Sequence, residues 1–116
     1  MAIKLNDLAQ RIGATLLTVG ASDSLIEHVY AGDRISDLLS HARDGTLLVS
    51  NLAGPSLTRL VELMNPPAIC LVGRQMPSAK VVAAAQEHHC GLIVSPASLF
   101  ETCGRLYPCL PHRSGA

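Results

Sequence analysis

The chain has 116 residues, nine basic side chains against nine acidic ones, and 48% hydrophobic residues, yet its only aromatics are Tyr30, Phe100 and Tyr107. That length suits one domain with an aliphatic core, burying roughly two-thirds of the surface its unfolded form exposes, without disulfides or metal. A formal net charge of +0 with no basic cluster argues against nucleic acid as a partner, and no apolar run approaches the ~20 residues that cross a bilayer.

Near the N-terminus, Lys4, Asn6, Asp7, Gln10 and Arg11 interrupt what would have to be the apolar stretch of a signal peptide. A cytoplasmic setting is therefore expected, and with it free thiols at Cys70, Cys90, Cys103 and Cys109. Asn6 predicts the cap of a short helix with Leu8, Ala9 and Ile12 on its apolar face and Gly13 at its end. Thr15–Val19 is rich in strand formers and stops at Gly20; Leu25–Ala31 is a second strand candidate. Ser36 predicts a cap for a helix over Asp37–Arg43, ahead of an Asp44-Gly45 turn.

From there the pattern becomes regular. Thr46–Ser50 reads as a strand, followed by a helix through Leu57, Leu60, Val61 and Met64 that Asn65-Pro66-Pro67 stops. Ala68–Val72 is a second buried strand ending at Gly73. Pro77 and Ser78 open a helix through Val81, Val82 and Ala85, which Gly91 ends, and Leu92–Val94 is the third strand. A last helix covers about Ser98–Leu106, stopped by Pro108. Strand ends at Ser50, Gly73 and Ser95 give a period of about 22 to 23 residues, the length of a strand with its crossover helix. Strands without apolar/polar alternation imply a sheet covered on both faces. The fold class expected is α/β, a three-layer α/β/α domain with a mainly parallel sheet of repeated βα units. One domain over residues 1–110 and a flexible tail over 111–116 complete the organisation.

Ligands of open parallel sheets favour the crevice beyond the carboxyl ends of the strands. Those ends carry Ser50, Asn51, Gly73 and Arg74, the last a fixed positive charge that is either an anion clamp or a solvated loop arginine. The densest polar stretch supplies Gly32, Asp33, Arg34, Ser36 and Asp37. It reads either as a turn with a capped helix start or as the rim of a binding site or interface.

No GxxxxGK[ST], GxGxxG or GxSxG motif occurs, so no catalytic residue is assigned. His88, His89 and Cys90 are consecutive, and neighbours at a helix end cannot all face one ion; neither a metal nor any other cofactor is expected.

Three stretches together carry a family resemblance: Val29 to Ser40, Ile69 to Arg74, and Leu99 to Tyr107. The chain resembles free-standing DRTGG domains, which are similar to the N-terminal domain of HPr kinase/phosphorylase. At the place of the family's namesake run it reads Tyr30-Ala31-Gly32-Asp33-Arg34, keeping Gly32 as a motif glycine. The resemblance implies an α/β/α domain, often dimeric, that accompanies catalytic or sensory partners. Kinase activity is not carried over, because the phosphate-binding loop is missing from the sequence.

The function expected is a non-catalytic regulatory or protein-interaction module, a homodimer, accessory to a metabolic or redox enzyme system. Its surfaces would be Gly32–Ser40 and the C-terminal helix from Phe100 to Tyr107, although Phe100 and Leu106 also read as core. The alternative is a sensor of a nucleotide or small anion using the strand-end loops. Nucleic acid and membrane are not expected partners.

Overall fold

Strand-forming runs and amphipathic stretches alternate along the chain, and the computed structural model, which describes residues 2–20, 25–41, 44–51, 55–73 and 76–110, shows the elements they make. In chain order these are β1 (Ile3–Lys4), α1 (Leu5–Ile12), β2 (Thr15–Thr18), β3 (Leu25–Ile26), β4 (His28–Ala31) and α2 (Ile35–His41). There follow β5 (Thr46–Ser50), α3 (Pro55–Met64), β6 (Ala68–Leu71), α4 (Ala79–Glu87), β7 (Gly91–Val94), α5 (Leu99–Leu106) and a 3-10 turn over Tyr107–Cys109.

The main sheet has the order β2-β7-β6-β5-β4. Strands β4 to β7 are parallel neighbours, in register from His28↔Thr46, Leu47↔Ala68 and Ala68↔Gly91 onward. Every residue of β5, β6 and β7 is buried, which is why these runs carry no polar alternation. β2 closes the far edge antiparallel to β7, pairing Thr15 with Val94, and the Thr18 hydroxyl donates to the Cys90 carbonyl at 2.7 Å. β1 and β3 form a separate two-stranded ribbon.

Successive strand residues feed opposite faces. Leu47, Val49, Cys70 and Ile93 pack with α1 and α5, through Leu8, Ile12 and Leu106. Leu48, Ile69, Leu71 and Leu92 pack with α2, α3 and α4, through Leu38, Leu60 and Val81. The result is the expected three-layer α/β/α arrangement. The crossover helices α2, α3 and α4 share one layer because each βα unit steps to the next strand in the same direction with the same hand.

Several local expectations change. α1 begins at Leu5 behind an extended Lys4 that makes no side-chain cap, so Asn6 lies inside the helix; Gly13 does end it, at φ +73°. α2 begins at Ile35, and the Arg34 carbonyl accepts from the Asp37 and Leu38 amides, each at 3.1 Å. Ser36 is thus in the first turn rather than at the cap. The Leu25–Ala31 run splits in two because Glu27 and His28 both direct their amides at the Gly45 carbonyl, at 2.8 and 3.0 Å. Gly91 does not end α4; His88 and a left-handed His89 do. Gly91 starts β7 instead, where a Cβ would collide with the Leu5 side chain. Arg43, the expected end of α2, and the 111–116 segment lie outside the described residues. No helix among those described is long and apolar enough to cross a membrane.

Candidate functional site

Because β4, β5, β6 and β7 are parallel, their carboxyl ends lie side by side at Ala31, Ser50, Leu71 and Val94. The topology therefore brings Gly32, Asp33, Arg34, Ser50, Asn51 and Gly73 to one edge of the sheet, with Ser36 and Asp37 in the adjoining first turn of α2. From the β4 end to the β6 end is two strand spacings, roughly 10 Å. Asp33, Arg34, Ser36, Asp37 and Asn51 present exposed side chains, whereas Ser50 is fully buried at the base of the edge. Arg74 lies outside the described residues.

At the β4 end, the Gly32 amide extends the parallel ladder by donating to the Val49 carbonyl at 3.0 Å. A Cβ there would meet the Tyr30 ring at 3.2 Å. That ring in turn stacks on the His41 imidazole, centroids 3.6 Å apart and planes 4° from parallel. His41 Nδ1 lies 2.9 Å from the Asp37 carbonyl. A carbonyl only accepts, so Nδ1 carries the proton. The Gly32–Ser40 segment is thereby fastened from β4 across to the last turn of α2.

At the β6 and β7 ends, the Gly73 amide donates to the Ala97 carbonyl at 3.1 Å and the Ser95 amide to the Leu71 carbonyl at 2.8 Å. Gly73 sits at φ +83° with open space where a side chain would point. Beyond this tie the loops part. The β6 loop leads to α4 in one layer, and the β7 loop to α5 in the other, the kind of divergence at which open α/β sheets form a crevice. The hydroxyls here have structural partners. Ser78 accepts from the Val81 amide and Ser98 from the Glu101 amide, at 3.4 and 3.2 Å, capping α4 and α5.

Beside this edge, on the α3–α4 side, is a cavity of about 350 Å³ lined by Pro55, Thr58, Arg59, Glu62, Ser78 and Lys80. Arg59 and Lys80 escaped the sequence reading because neither belongs to a polar cluster. The signal was the repeat itself, since the two cations sit in adjoining βα units at nearly equivalent positions.

A second cavity, about 390 Å³, lies between β4 and α5, with Val29, Ala31, Cys103, Leu106, Tyr107 and Leu110 in its walls. Tyr107, in its wall, is 66% exposed, and Phe100 in the first turn of α5 is 87% exposed. Leu106 is core, as the cautious reading had it; Phe100 is not.

Burial disfavours the thiolate form of Cys70, Cys90 and Cys103. Burial pushes Cys90 up to about 12. Burial, reinforced by the neighbouring Cys103 and partly offset by a hydrogen bond from the Ser95 backbone, does the same for Cys70. Cys103 is raised by partial burial. Such thiols stay protonated and unreactive near neutral pH. Among the described residues, no three His, Cys, Asp or Glu side chains are grouped as metal ligands.

No protein-family profile and no curated protein matches the chain. Among solved structures it is similar to the CBS and DRTGG domains of the regulatory region of Clostridium perfringens pyrophosphatase, a structure complexed with the activator diadenosine tetraphosphate. The TM-score is 0.79 at 15% identity, over 93% of this chain and 47% of that one. The chain thus spans about half the length of the protein it matches. At this identity the likeness is one of fold, and the fold is DRTGG-like.

Proposed function

We propose that this DRTGG-like domain is a non-catalytic regulatory module that works as a homodimer, accessory to a metabolic or redox enzyme. The observation that carries the reading is the match of nearly the whole chain, 93% of it, to the fold of an enzyme's regulatory region. Two features of the chain support it: at the carboxyl edge the Ser78 and Ser98 hydroxyls cap helices, and inside the sheet and at the amino end of β7 the Cys70 and Cys90 thiols are held neutral. The test is affinity capture from the native host, followed by assay of the captured enzyme with and without the purified chain. A change in that enzyme's activity supports the reading; an activity indifferent to saturating amounts of the chain overturns it.

A second reading, a nucleotide or anion sensor, draws on the cavity at the carboxyl edge. Arg59 and Lys80 reach it from different helices, a pairing that suits phosphate, and the similar regulatory region was solved with a nucleotide activator. A compound that binds only the native state raises its melting temperature. The sensor reading expects a shift with inorganic phosphate, ATP or diadenosine tetraphosphate that disappears in an Arg59→Ala/Lys80→Ala double variant. No shift with any of the three at millimolar concentration removes it.

A further inference from the structure

α5 turns Thr102 and Leu106 into the core. The opposite side of the helix carries Phe100 and Gly104, and Tyr107, its C-terminal cap with helical backbone, continues the stripe at spacings of four and three residues. Two of the chain's three aromatic residues thus lie outside an otherwise aliphatic core, on one side of α5 and the turn that continues it. Single exposed apolar residues are ordinary; large rings bracketing a glycine on a helix face are the composition of an interface centre.

Gly104 is the second oddity. It is not among the glycines with positive φ, and a Cβ built on it meets nothing within 4 Å. Neither backbone conformation nor packing within the domain calls for glycine there, and glycine is among the poorest helix formers. What a mid-helix glycine does provide is close approach by another backbone.

The flanks of the stripe indicate which backbone. On one side are Glu101 and Arg105, both exposed. On the other, Cys103 leads into the 390 Å³ cavity against β4. Two copies of α5 crossed antiparallel, with a twofold axis beside Cys103 and Gly104, keep like flanks together. Phe100 of one then lies over the Tyr107 of the other, and Glu101 of one opposes the Arg105 of the other. Arg105 already donates one guanidinium N–H to the Ile12 carbonyl at 3.0 Å, which fixes the side chain and leaves further donors for a carboxylate. The cavity opens next to Tyr107, where the partner's Phe100 ring would enter. Aromatic meets aromatic, acid meets base, and small residues meet at the centre: the self-complementarity that an isologous dimer requires.

We infer that the exposed face of α5, centred on Gly104 between Phe100 and Tyr107, is the surface through which a second copy of this chain docks. The inference rests on the homodimer reading above and names its surface. Light scattering after size exclusion, with sedimentation equilibrium, tests it on the whole chain and on two variants. Phe100→Glu places a charge in the surface, beside its centre, without touching the core. Gly104→Gln adds a better helix former that meets open space in the monomer but blocks close approach. The expected result is a dimer for the unaltered chain and a dissociation constant at least tenfold weaker for each variant. Gly104→Gln, when dilute, should melt no lower than the unaltered chain. A strict monomer before any substitution ends the homodimer reading itself. A dimer unweakened by both substitutions leaves that reading standing and overturns this surface.

Discussion

The hydroxyls of Ser95 and Thr102 lie 2.7 Å apart in a fully buried site, joining the end of β7 to α5. Ser95 Oγ also accepts from the Ala97 amide at 3.2 Å, and Thr102 Oγ1 reaches the Ala97 carbonyl at 3.5 Å. That carbonyl is the one to which Gly73 donates. Thr102→Val keeps the volume but leaves the Ser95 hydroxyl short of its buried partner. A loss of about 1–3 kcal/mol is expected, read as a lower urea midpoint.

Two glycines meet where the N-terminal segment crosses β7. A Cβ on Gly20 would lie 2.7 Å from the Gly91 nitrogen, at a backbone φ of +77°, and one on Gly91 would strike Leu5. Gly20→Ala and Gly91→Ala should each cost about 2 kcal/mol or more, through overpacking and strain. In dilute solution Gly104→Ala should do the reverse, adding up to about 1 kcal/mol of helix preference. Denaturant titrations of all three check the contrast, and equal midpoints would contradict it.

Cys70 and Cys90, pushed up to about 12 from an ordinary 9.0, make stability fall in alkali. Above about pH 9 the unfolded chain releases these protons while the folded chain keeps them. The native state then binds more protons, so stability decreases as pH rises from about 9 towards 12. The slope approaches about 1.4 kcal/mol per pH unit for each thiol, and the effect is absent below the unfolded value. Urea unfolding of the unaltered chain and of Cys90→Ala at pH 8, 9 and 10 measures it. The variant should show the shallower decline.

Helix starts offer the sharpest contrast between sequence and structure. Ser98 caps α5 by accepting from the Glu101 amide, so Ser98→Ala should lose about 1 kcal/mol. Ser36→Ala should change thermal stability little, since Ser36 is exposed inside the first turn of α2, after the Arg34 carbonyl has already begun the helix. Parallel thermal melts decide the point.

These helix starts also show what was legible. The βα repeat was readable because β5, β6 and β7 are uniformly apolar runs separated by residues that cannot continue a helix, such as Asn65-Pro66-Pro67. The carboxyl edge followed, since parallel strands must end together. β1 and the antiparallel placement of β2 did not, because a two-residue strand has no period and an edge strand's direction leaves no mark in composition. Asn6 and Ser36 misled as caps for a related reason. Lys4 begins α1 without a side-chain cap and the Arg34 carbonyl begins α2 by accepting backbone amides, and a backbone contact leaves no signal in the sequence. Arg59 and Lys80 were hidden by separation along the chain, and the exposure of Phe100 by the reasonable habit of placing a lone phenylalanine in the core.

The pairing of β2 with β7 sets an order of assembly. Thr15 and Leu16 find their partners at Val94 and Ile93, 79 and 77 residues further along the chain, so β2 must wait until β7 has been made. Closing so long a loop is entropically costly and slows folding. Strands β4 to β7, by contrast, can zip together one unit at a time as each emerges. The N-terminal twenty residues would then be a latch added late, and relocating them by circular permutation to follow residue 110 should shorten the longest contact and quicken its closing.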